Sequence, residues 1–511
     1  MTGSVAFEVG NTWTSILQAD EFILHVLGKE SMYPTAQALA FQGGWRPPGS
    51  EDSGWDGWIR LLHRPKTMYP YFPTGLFPKM VRICQKMGYV PQVNDTRVRP
   101  VDEVPEFPVV ELRDYQEAAV EAGLRTGRGV FDMPPRSGKT RTMMELQRRL
   151  NLPTIWIAPT DRIVQQTAQV MTDHFGKNYC YHMIGSKEER MELAVSHKVV
   201  IATMATAGNL PPEFYQTRQM LVIDEFHHGS AKTYTANIIQ KCDHIFYRFG
   251  MTGTFFRSGY DALEMHSVLS NTIFKVTSDE LLRRGFLVPT KVAFVPVPEH
   301  PKLRGAGNQF NGGFGQAGIH EHKVRNHMVA QAALLLHQMG RKVLILVGTK
   351  VQGRELSHML EQFLPRPPSG CQFESVEFVS TDRPRETQTR ILDSYLSGQE
   401  VKVLMGTSLL GEGVDLPSVD ALVYARGEKA EVSLTQNAYR VCTAVPGKTS
   451  AVIVDFADRH HRRLLEHSEE RLSTYHYEPT FNVSVLADFN DLPVWLQAGM
   501  PDVVRSTNGV C

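Results

Sequence analysis

The sequence predicts an α/β protein in which two parallel-sheet domains follow one another, preceded by a small α+β domain. Short apolar segments rich in β-branched residues alternate with helical patterns in two series, one at residues 154–251 and one at residues 291–454. Continuous apolar strands separated by helices are what a parallel sheet covered on both faces requires. The chain has 511 residues, which is enough for about three domains of roughly 150 residues each.

The composition is that of a globular protein, and it does not indicate a binding partner. Hydrophobic residues make up 42% and charged residues 21% of the chain, which is typical of a globular protein and not of a disordered or fibrous one. Lysine plus arginine and aspartate plus glutamate both total 54, so the net charge is zero and any nucleic-acid surface must be local. The six cysteines form no Cys-x-x-Cys pair, which argues against a structural zinc site or a disulfide framework.

The first predicted unit, residues 1–100, is an accessory domain rich in aromatic residues and prolines. Its second half carries apolar residues at helical spacing beside Lys79, Arg82 and Lys86. These cations are either the solvated face of a small domain or the phosphate-binding face of a nucleic-acid accessory domain. The residues by themselves leave both interpretations open. Three prolines within residues 97–108 then predict a linker.

The first parallel-sheet domain begins with a candidate phosphate-binding loop. An apolar segment leads into a turn of small residues that ends in Gly138-Lys139-Thr140, and a helical pattern follows. In this order of strand, loop and helix, backbone N–H groups and the helix N-terminus cradle a triphosphate. We therefore assign Arg136, Ser137 and Gly138 to the cradle. Lys139 is assigned to the outer phosphates of ATP, and the Thr140 hydroxyl to Mg²⁺.

A pair of adjacent acids supports the phosphate-binding interpretation. The loop alone leaves an ordinary turn open, because Met133 stands where the full pattern has glycine. Asp224 and Glu225 follow the apolar strand at residues 220–223. A carboxylate at the C-terminal end of such a strand can hold Mg²⁺ through water, and its neighbour can polarise the attacking water. We assign Asp224 to the metal and Glu225 to the general base; the alternative is a polar strand end that faces solvent.

Asp224-Glu225-Phe226-His227 resembles the DExH box of superfamily 2 helicases, and other motifs of that family are present in the right order. The resemblance implies two RecA-like lobes, residues 101–285 and 286–460, with ATP in the cleft between them. It assigns contact with the adenine base to Arg113 and Gln116. It assigns coupling between the ATP and nucleic-acid sites to His227, Thr252 and Thr254. It assigns contact with the nucleic-acid backbone to Pro159, Thr160, Thr203, Thr349, Lys350, Thr407 and Ser408.

The second lobe carries the remaining motifs of the resemblance. The segment from Thr407 to Pro417 resembles the motif that senses both nucleotide and strand, and in it Gly413 and Asp415 are assigned to the nucleotide. Gln436 and Arg440 occupy the place of the arginine-finger motif. The resemblance therefore implies that Arg440 stabilises the transferring phosphoryl group.

The N-terminal residues 54–62 and 72–76, and a basic helix ending in Gly88-Tyr89, resemble those of a phage recombination helicase of the same family. This implies a DNA-binding accessory domain and an ATP-driven motor that acts on branched or forked DNA and on RNA–DNA hybrids. Phosphate contacts carry no base information, so the substrate would be chosen by shape. The N-terminus has no basic region followed by an apolar core, and no run approaches the roughly 18 apolar residues of a membrane span. We therefore expect a soluble protein of the cytoplasm, which is the host cytoplasm if the protein is encoded by a phage. Residues 461–511 are expected to form a C-terminal extension without catalysis.

Two departures from the family pattern keep other functions open. Arg136 stands where relatives have a small residue, and it would either clash with a phosphate or add a cation to it. Tyr439 and Thr443 replace the glycine and the second arginine of the finger motif. One rival hypothesis is therefore a DNA clamp gated by nucleotide that scarcely hydrolyses it, against which the Asp224-Glu225 pair argues. Another is the motor subunit of a nuclease assembly.

Overall fold

The computed structural model describes most of the chain. The described residues are 3–34, 58–183, 187–226, 239–253, 259–299, 313–364, 372–398, 400–407, 410, 416–427 and 431–498. Within the chain, contacts divide it into two compact units, residues 1–134 with 138–276 and residues 135–137 with 277–511. The predicted residues His227, Thr254, Ser408, Gly413 and Asp415 lie outside the described residues.

The accessory domain forms the first part of the first unit. Its elements are β1 (Ser4–Val9), β2 (Trp13–Gln18), α1 (Glu21–Glu30), β3 (Met32–Pro34), β4 (Trp58–Arg60), β5 (Tyr71–Pro73), α2 (Phe77–Lys86) and β6 (Val90–Asp95). The main sheet has the order β5-β2-β1-β6, and β3 pairs with β4 separately. Alternation along β1 buries Val5, Phe7 and Val9 against the helices. The opposite face of this sheet is left toward solvent.

A parallel sheet of seven strands forms the first lobe. The strands are β7 (Arg128–Asp132), β8 (Thr154–Ala158), β9 (Cys180–His182), β10 (Val199–Thr203), β11 (Met220–Ile223), β12 (Tyr247–Thr252) and β13 (Thr272–Lys275). The helices are α3 (Asp114–Thr126), α4 (Lys139–Leu150), α5 (Asp161–Phe175), α6 (Lys187–Ser196), α7 (Met204–Gly208), α8 (Pro212–Gln216) and α9 (Gly259–Leu269). The strand order is β13-β7-β12-β11-β8-β10-β9. The predicted α/β fold is confirmed for this lobe, and every residue of β11 is fully buried.

The second lobe is a second parallel sheet of seven strands. The strands are β14 (Thr290–Val297), β15 (Val343–Leu346), β16 (Val376–Val379), β17 (Val403–Gly406), β18 (Ala421–Tyr424), β19 (Ala451–Asp458) and β20 (Phe481–Val485). The helices are α10 (Ser278–Arg283), α11 (Lys323–Gln338), α12 (Lys350–Glu361), α13 (Arg385–Ser397), α14 (Glu431–Arg440), α15 (Arg462–Tyr477) and α16 (Leu492–Gln497). The strand order is β16-β17-β15-β18-β19-β14-β20.

The C-terminal residues, expected to form an extension, follow β19 with a helix and an edge strand. The helix is present as α15, but β20 then pairs in parallel with β14 and forms an edge of the second sheet. Only the first residue of β20 is buried, which is why its sequence carries no strong strand pattern. The C-terminal residues therefore belong to the fold of the second lobe.

The accessory domain docks on the first lobe through its turns. Arg128 of β7 donates from Nη1 to the carbonyl oxygen of Asn11 at 2.7 Å, and Arg248 of β12 donates from Nη2 to Thr12 Oγ1 at 2.8 Å. Both guanidinium groups are buried. A Cβ atom at Gly75 would lie 2.0 Å from the carbonyl oxygen of His266 in α9, so only glycine allows this close approach. These contacts fix the accessory sheet relative to the first lobe.

Candidate nucleotide-hydrolysis site

The phosphate loop connects β7 to α4 and ends at a glycine in a left-handed conformation. Gly138 has φ 81° and caps α4, whose first main-chain bond runs from Thr142 N to the Gly138 carbonyl oxygen at 3.0 Å. A Cβ atom at Gly138 would lie 2.2 Å from Gln116 Nε2. The structure therefore brings together two residues that the sequence places in separate motifs.

The segment predicted to contact adenine is ordered by its own helix cap. The main-chain N–H of Arg113 donates to Gln116 Oε1 at 2.9 Å, and Arg113 Nη1 donates to the Tyr115 hydroxyl at 2.9 Å. This cap, in which the Gln116 side chain accepts from the main chain at the start of the helix, begins α3. The Gln116 amide is thereby held against the phosphate loop, with Arg113 beside it.

Lys139 extends from the start of α4 toward the acidic pair. Its Nζ atom lies 3.3 Å from Glu225 Oε1 and 3.4 Å from the carbonyl oxygen of Met133. Both charged side chains are largely buried, with 11% and 14% of their surface exposed. The predicted phosphate-binding cation and the predicted general base are thus neighbours.

The acidic pair lies where β11 ends, next to β8 in the same sheet. Asp224 continues the ladder by donating its N–H to the Ile157 carbonyl oxygen at 2.8 Å, and its Oδ1 accepts from Glu225 N at 2.9 Å. Glu225 has φ 44°, an uncommon left-handed conformation for a non-glycine residue. The turn directs its side chain toward Lys139.

Burial controls the protonation of Asp224. Burial of the carboxyl group, with the nearby Glu225 charge, raises the pKa of Asp224 to about 7, and the Lys139 ammonium opposes this rise. Burial also raises the pKa of Asp132 at the end of β7, which is opposed by Lys275 at 3.1 Å. Carboxylates with raised pKa values beside a phosphate loop are poised to gain a cation.

The side chains at the loop fit an ATP–Mg²⁺ complex. Thr140 supplies a hydroxyl in the first turn of α4, and Asp224 supplies a carboxylate that is 7% exposed. Mg²⁺ is usually held by one or two protein oxygens together with phosphates and water. Among the described residues there is no cluster of three or more metal-binding side chains, and such a site does not need one.

The predicted coupling segment is joined to the loop through the sheet. Thr252, at the end of β12, accepts a main-chain hydrogen bond from Met133 N at 3.0 Å and is fully buried. Because β12 lies between β7 and β11, it contacts the strands that carry the phosphate loop and the acidic pair. A displacement of Thr252 would therefore move both the strand before the phosphate loop and the strand before the acidic pair.

The predicted strand-contacting threonines share one local structure. Thr160, which follows Pro159 after β8, accepts a hydrogen bond from Ile163 N at 3.4 Å and caps α5, while Thr203 accepts from Thr206 N at 3.3 Å. Since β8 and β10 are parallel neighbours, both lie at the carboxyl edge of the first sheet. Thr349 likewise caps α12 in the second lobe, accepting from Gln352 N at 3.2 Å.

The other predicted residues of the second lobe that the structure describes follow its strands or lie on α14. Lys350 forms an ion pair with Asp382, and Thr407 directly follows β17. Gln436 and Arg440 lie one turn apart on α14, where Arg440 is 6% exposed. Arg440 is therefore buried in the second lobe, whereas Lys350 lies at the surface in an exposed ion pair.

Tyr439, which replaces the family's glycine, has a structural role. Its ring is 1% exposed, lies 5.7 Å from the Phe481 ring of β20, and its hydroxyl donates to Glu478 Oε2 at 2.6 Å. Thr443 forms a main-chain bridge with Leu287. The unusual tyrosine thus faces the C-terminal residues of the second lobe.

A buried ion-pair network, which sequence reasoning missed, holds the segment that follows β18. Arg325 Nε lies 2.7 Å from Asp458 Oδ1, and Arg471 Nε lies 3.1 Å from Asp455 Oδ2, all four groups being almost fully buried. The two arginines also donate to main-chain carbonyl oxygens after β18, Arg325 to Ala425 at 2.7 Å and Arg471 to Gly427 at 2.8 Å. Two aspartates in the otherwise apolar β19 were the available signal.

Two family models match the chain. One, described as the type III restriction enzyme res subunit, matches residues 109–257. The other, described as the helicase conserved C-terminal domain, matches residues 326–443. They coincide with the two lobes and contain both the acidic pair and the finger motif. No described helix has the length and hydropathy that a membrane span requires.

Similar proteins cover most of the chain at low identity. The ATP-dependent DNA helicase uvsW of Enterobacteria phage T4 is 22% identical over 471 residues, covering 82% of this chain and 88% of that protein. The DNA 3'-5' translocase XPB2 of Sulfurisphaera tokodaii is 22% identical over 373 residues, covering 67% of this chain and 81% of that protein. A structure of the type ISP restriction-modification enzyme LlaBIII bound to DNA has a TM-score of 0.54 at 15% identity, covering 76% of this chain and 32% of that chain. At 15% identity, the similarity to LlaBIII shows a shared fold and nothing more.

Proposed function

We propose that this chain, which belongs to superfamily 2 of the helicases and is an ATP-dependent DNA helicase, acts on branched or forked DNA and on RNA–DNA hybrids in recombination, repair or replication restart. The observation that carries the proposal is the convergence of Lys139, Asp224 and Glu225 at the carboxyl edge of one sheet. The resemblance of the accessory domain to that of a phage recombination helicase supports the finer choice of substrate.

In the proposed reaction, Lys139 binds the outer phosphates of ATP, while Thr140 and Asp224 would hold Mg²⁺. Mg²⁺, when bound, neutralises charge on the phosphate oxygens. Glu225 orients the attacking water and takes up its proton as the water oxygen bonds to the γ-phosphorus. Arg440, with Gln436, stabilises the charge of the transferring group, and ADP leaves as the bridging bond breaks.

The remaining assignments follow from the resemblance and are part of this proposal. Arg113 and Gln116 contact adenine, Arg136, Ser137 and Gly138 cradle the phosphates, and Gly413 and Asp415 contact the nucleotide from the second lobe. The DNA backbone is contacted by Pro159, Thr160, Thr203, Thr349, Lys350, Thr407 and Ser408. His227, Thr252 and Thr254 couple the two sites. The proposed domains are the accessory domain, residues 1–100, and the two lobes; residues 277–285 group with the second lobe, as do the residues that form α15 and β20.

Steady-state ATP hydrolysis tests the proposal directly. The purified full chain is assayed alone and with single-stranded, duplex, forked and RNA–DNA hybrid substrates, with Lys139→Ala as the blank. We expect strong stimulation, greatest on the fork or the hybrid, and loss of hydrolysis in Lys139→Ala with DNA binding nearly intact. Lys177→Ala, at an exposed site after α5, is the control for loss of a lysine. Stimulation equal on duplex and fork would remove the branched substrate from the proposal.

A clamp gated by nucleotide is the second candidate, and Thr443 favours it. The second arginine of the finger motif is absent there, and main-chain pairing with Leu287 fixes the position of this segment. Loss of a finger arginine lowers phosphoryl transfer by on the order of 10³–10⁵ where it has been measured. The motor hypothesis would give way to the clamp hypothesis if the hydrolysis rate equalled that of the Lys139→Ala blank on every DNA while ATP still tightened DNA binding.

A further inference from the structure

The solvent-facing side of the accessory sheet carries a fixed cluster of aromatic rings. Trp13 of β2 and Tyr71 of β5 lie with ring centroids 5.2 Å apart at 86°, and Tyr71 stacks on His63 at 4.8 Å and 22°. Trp13 nevertheless keeps 37% of its surface exposed. Edge and stacked contacts hold these rings in one arrangement, so an open aromatic face is presented to solvent.

A short loop closed by main-chain hydrogen bonds borders this face. His63 and Tyr71 exchange two main-chain hydrogen bonds, at 2.8 Å and 3.0 Å, and so close a loop of the intervening residues 64–70. Arg64 anchors one side of the loop to Glu21 at 2.7 Å. At the tip Met68 is 65% and Tyr69 60% exposed. Ordered exposure of two large apolar side chains on a closed loop is typical of an interaction site.

An open pocket of about 940 Å³ lies between the loop and the sheet. Trp13, Ser15, Lys66, Met68, Tyr69 and Tyr71 are among its lining residues. Within the described ranges no residue forms an ion pair with the Lys66 ammonium. Exposed rings offer a stacking platform to any base, and a neighbouring cation offers a partner to a phosphate. The combination fits an unpaired nucleotide.

We propose that this pocket binds an unpaired nucleotide of a DNA strand, with its base stacked on Tyr69 or Trp13 and its phosphate beside Lys66. The inference rests on the proposed function and adds a second nucleic-acid site outside the two lobes. Because Arg128 and Arg248 fix the accessory sheet on the first lobe, a strand held here keeps a fixed distance from the motor. Stacking accepts every base, which agrees with recognition of shape and not of sequence.

Equilibrium binding without ATP tests the proposal independently of hydrolysis. The probes are a fluorescent 12-nucleotide oligo(dT) of about the length one binding site covers and an abasic strand of the same length. We expect Tyr69→Ala to weaken oligo(dT) binding about tenfold and to leave binding of the abasic strand unchanged. Phe22→Ala is the matched control, since Phe22 is 61% exposed on α1 and does not line the pocket. An equal loss on both strands, or no loss on either, would overturn the proposal.

Two further variants separate stacking from charge and from misfolding. Trp13→Phe keeps an aromatic ring in the cluster and is expected to weaken oligo(dT) binding by less than Tyr69→Ala. Lys66→Ala should lower the affinity for both strands. It should also reduce the slope of log Kd against the logarithm of the salt concentration by about one, because one phosphate contact is lost. Hydrolysis in the absence of DNA should stay unchanged in all of them. A Lys139→Ala protein that retains the difference between the two strands would show that the pocket binds nucleotides whether or not the motor assignment holds.

Discussion

The Lys139 ammonium lies 3.3 Å from the Glu225 carboxylate, so the proposed phosphate-binding cation neutralises the charge of the proposed general base. Incoming phosphate oxygens compete for Lys139, because two or more negative charges attract the ammonium more strongly than one carboxylate does. We therefore expect nucleotide binding to free Glu225 for catalysis. This arrangement would suppress proton abstraction in the empty protein.

Glu225→Gln should separate binding from hydrolysis. The amide keeps the size of the side chain but cannot accept a proton, so kcat should fall by about 10²–10⁴-fold. Affinity for ATP should stay equal or rise, because Lys139 no longer has a competing carboxylate. Stopped-flow binding of a fluorescent ATP analogue and steady-state hydrolysis measure the two quantities. Glu213→Gln, on an exposed turn of α8, should change neither, and a large loss of affinity in Glu225→Gln would contradict the competition.

Asp224 should make ATP–Mg²⁺ binding depend on pH around neutrality. Its pKa is raised to about 7, so ionising it weakens the nucleotide-free fold as pH rises through that value. Metal binding needs the carboxylate and must displace the proton at lower pH. The KM for ATP–Mg²⁺ should therefore rise by up to about tenfold per pH unit below about pH 7. Titrating KM between about pH 8 and about pH 6 checks this; a flat profile would exclude Asp224 as a metal ligand.

Gly138→Ala and Gly176→Ala form a matched pair for the phosphate loop. Both glycines have positive φ, 81° and 97°, but a Cβ at Gly138 meets Gln116 Nε2 at 2.2 Å whereas nothing lies within 4 Å at Gly176. Each substitution should lower the free energy of unfolding by about 1 kcal/mol or more. Only Gly138→Ala should also raise the KM for ATP. Equal KM values for ATP in the two variants would show that the contact between Gln116 and the loop has no role in ATP binding.

Arg325→Leu should destabilise the second lobe strongly. Removing this arginine leaves the Asp458 carboxylate buried without its 2.7 Å partner, a loss typically of about 3–5 kcal/mol. Arg462→Leu breaks the ion pair with Glu466, in which the arginine side chain is 90% exposed, and should cost at most about 1 kcal/mol. Calorimetric unfolding of both variants gives the comparison. Similar transition temperatures would mean that the buried network contributes no more than a surface pair.

Tyr439→Phe should measure how much the hydroxyl of this tyrosine, which replaces the family's glycine, contributes to the stability of the protein. The variant keeps the buried ring but removes the 2.6 Å hydrogen bond to Glu478, so stability should fall by about 1–3 kcal/mol. Tyr477→Phe, at a 70% exposed position of α15, is the control and should have little effect. Unfolding by urea, followed by circular dichroism, provides the measurement. A destabilisation no larger than that of the control would leave Tyr439 without the role assigned to it.

Local patterns predicted most of the two sheets. Continuous apolar runs such as Met220–Ile223 and Ala421–Tyr424 are buried strands in the structure, because a parallel strand covered on both faces requires apolar residues at every position. The family resemblance is confirmed by the models that match both lobes. In the two sheets, β9, β13 and β20 were not predicted, since they are edge strands with exposed or half-exposed residues and a weak pattern. The assigned roles of individual residues stay predictions.

The order of strands and helices, the candidate phosphate loop and the adjacent acids could all be predicted from the sequence, because each depends on residues close together in the chain. Folding brings together residues that are distant in the chain: Lys139 with Glu225, Gly138 with Gln116, and Arg325 with Asp458. It also placed Trp13 beside Tyr71 on an open face of the accessory sheet. Such contacts arise from packing between elements far apart in the chain, which periodicity and spacing do not encode.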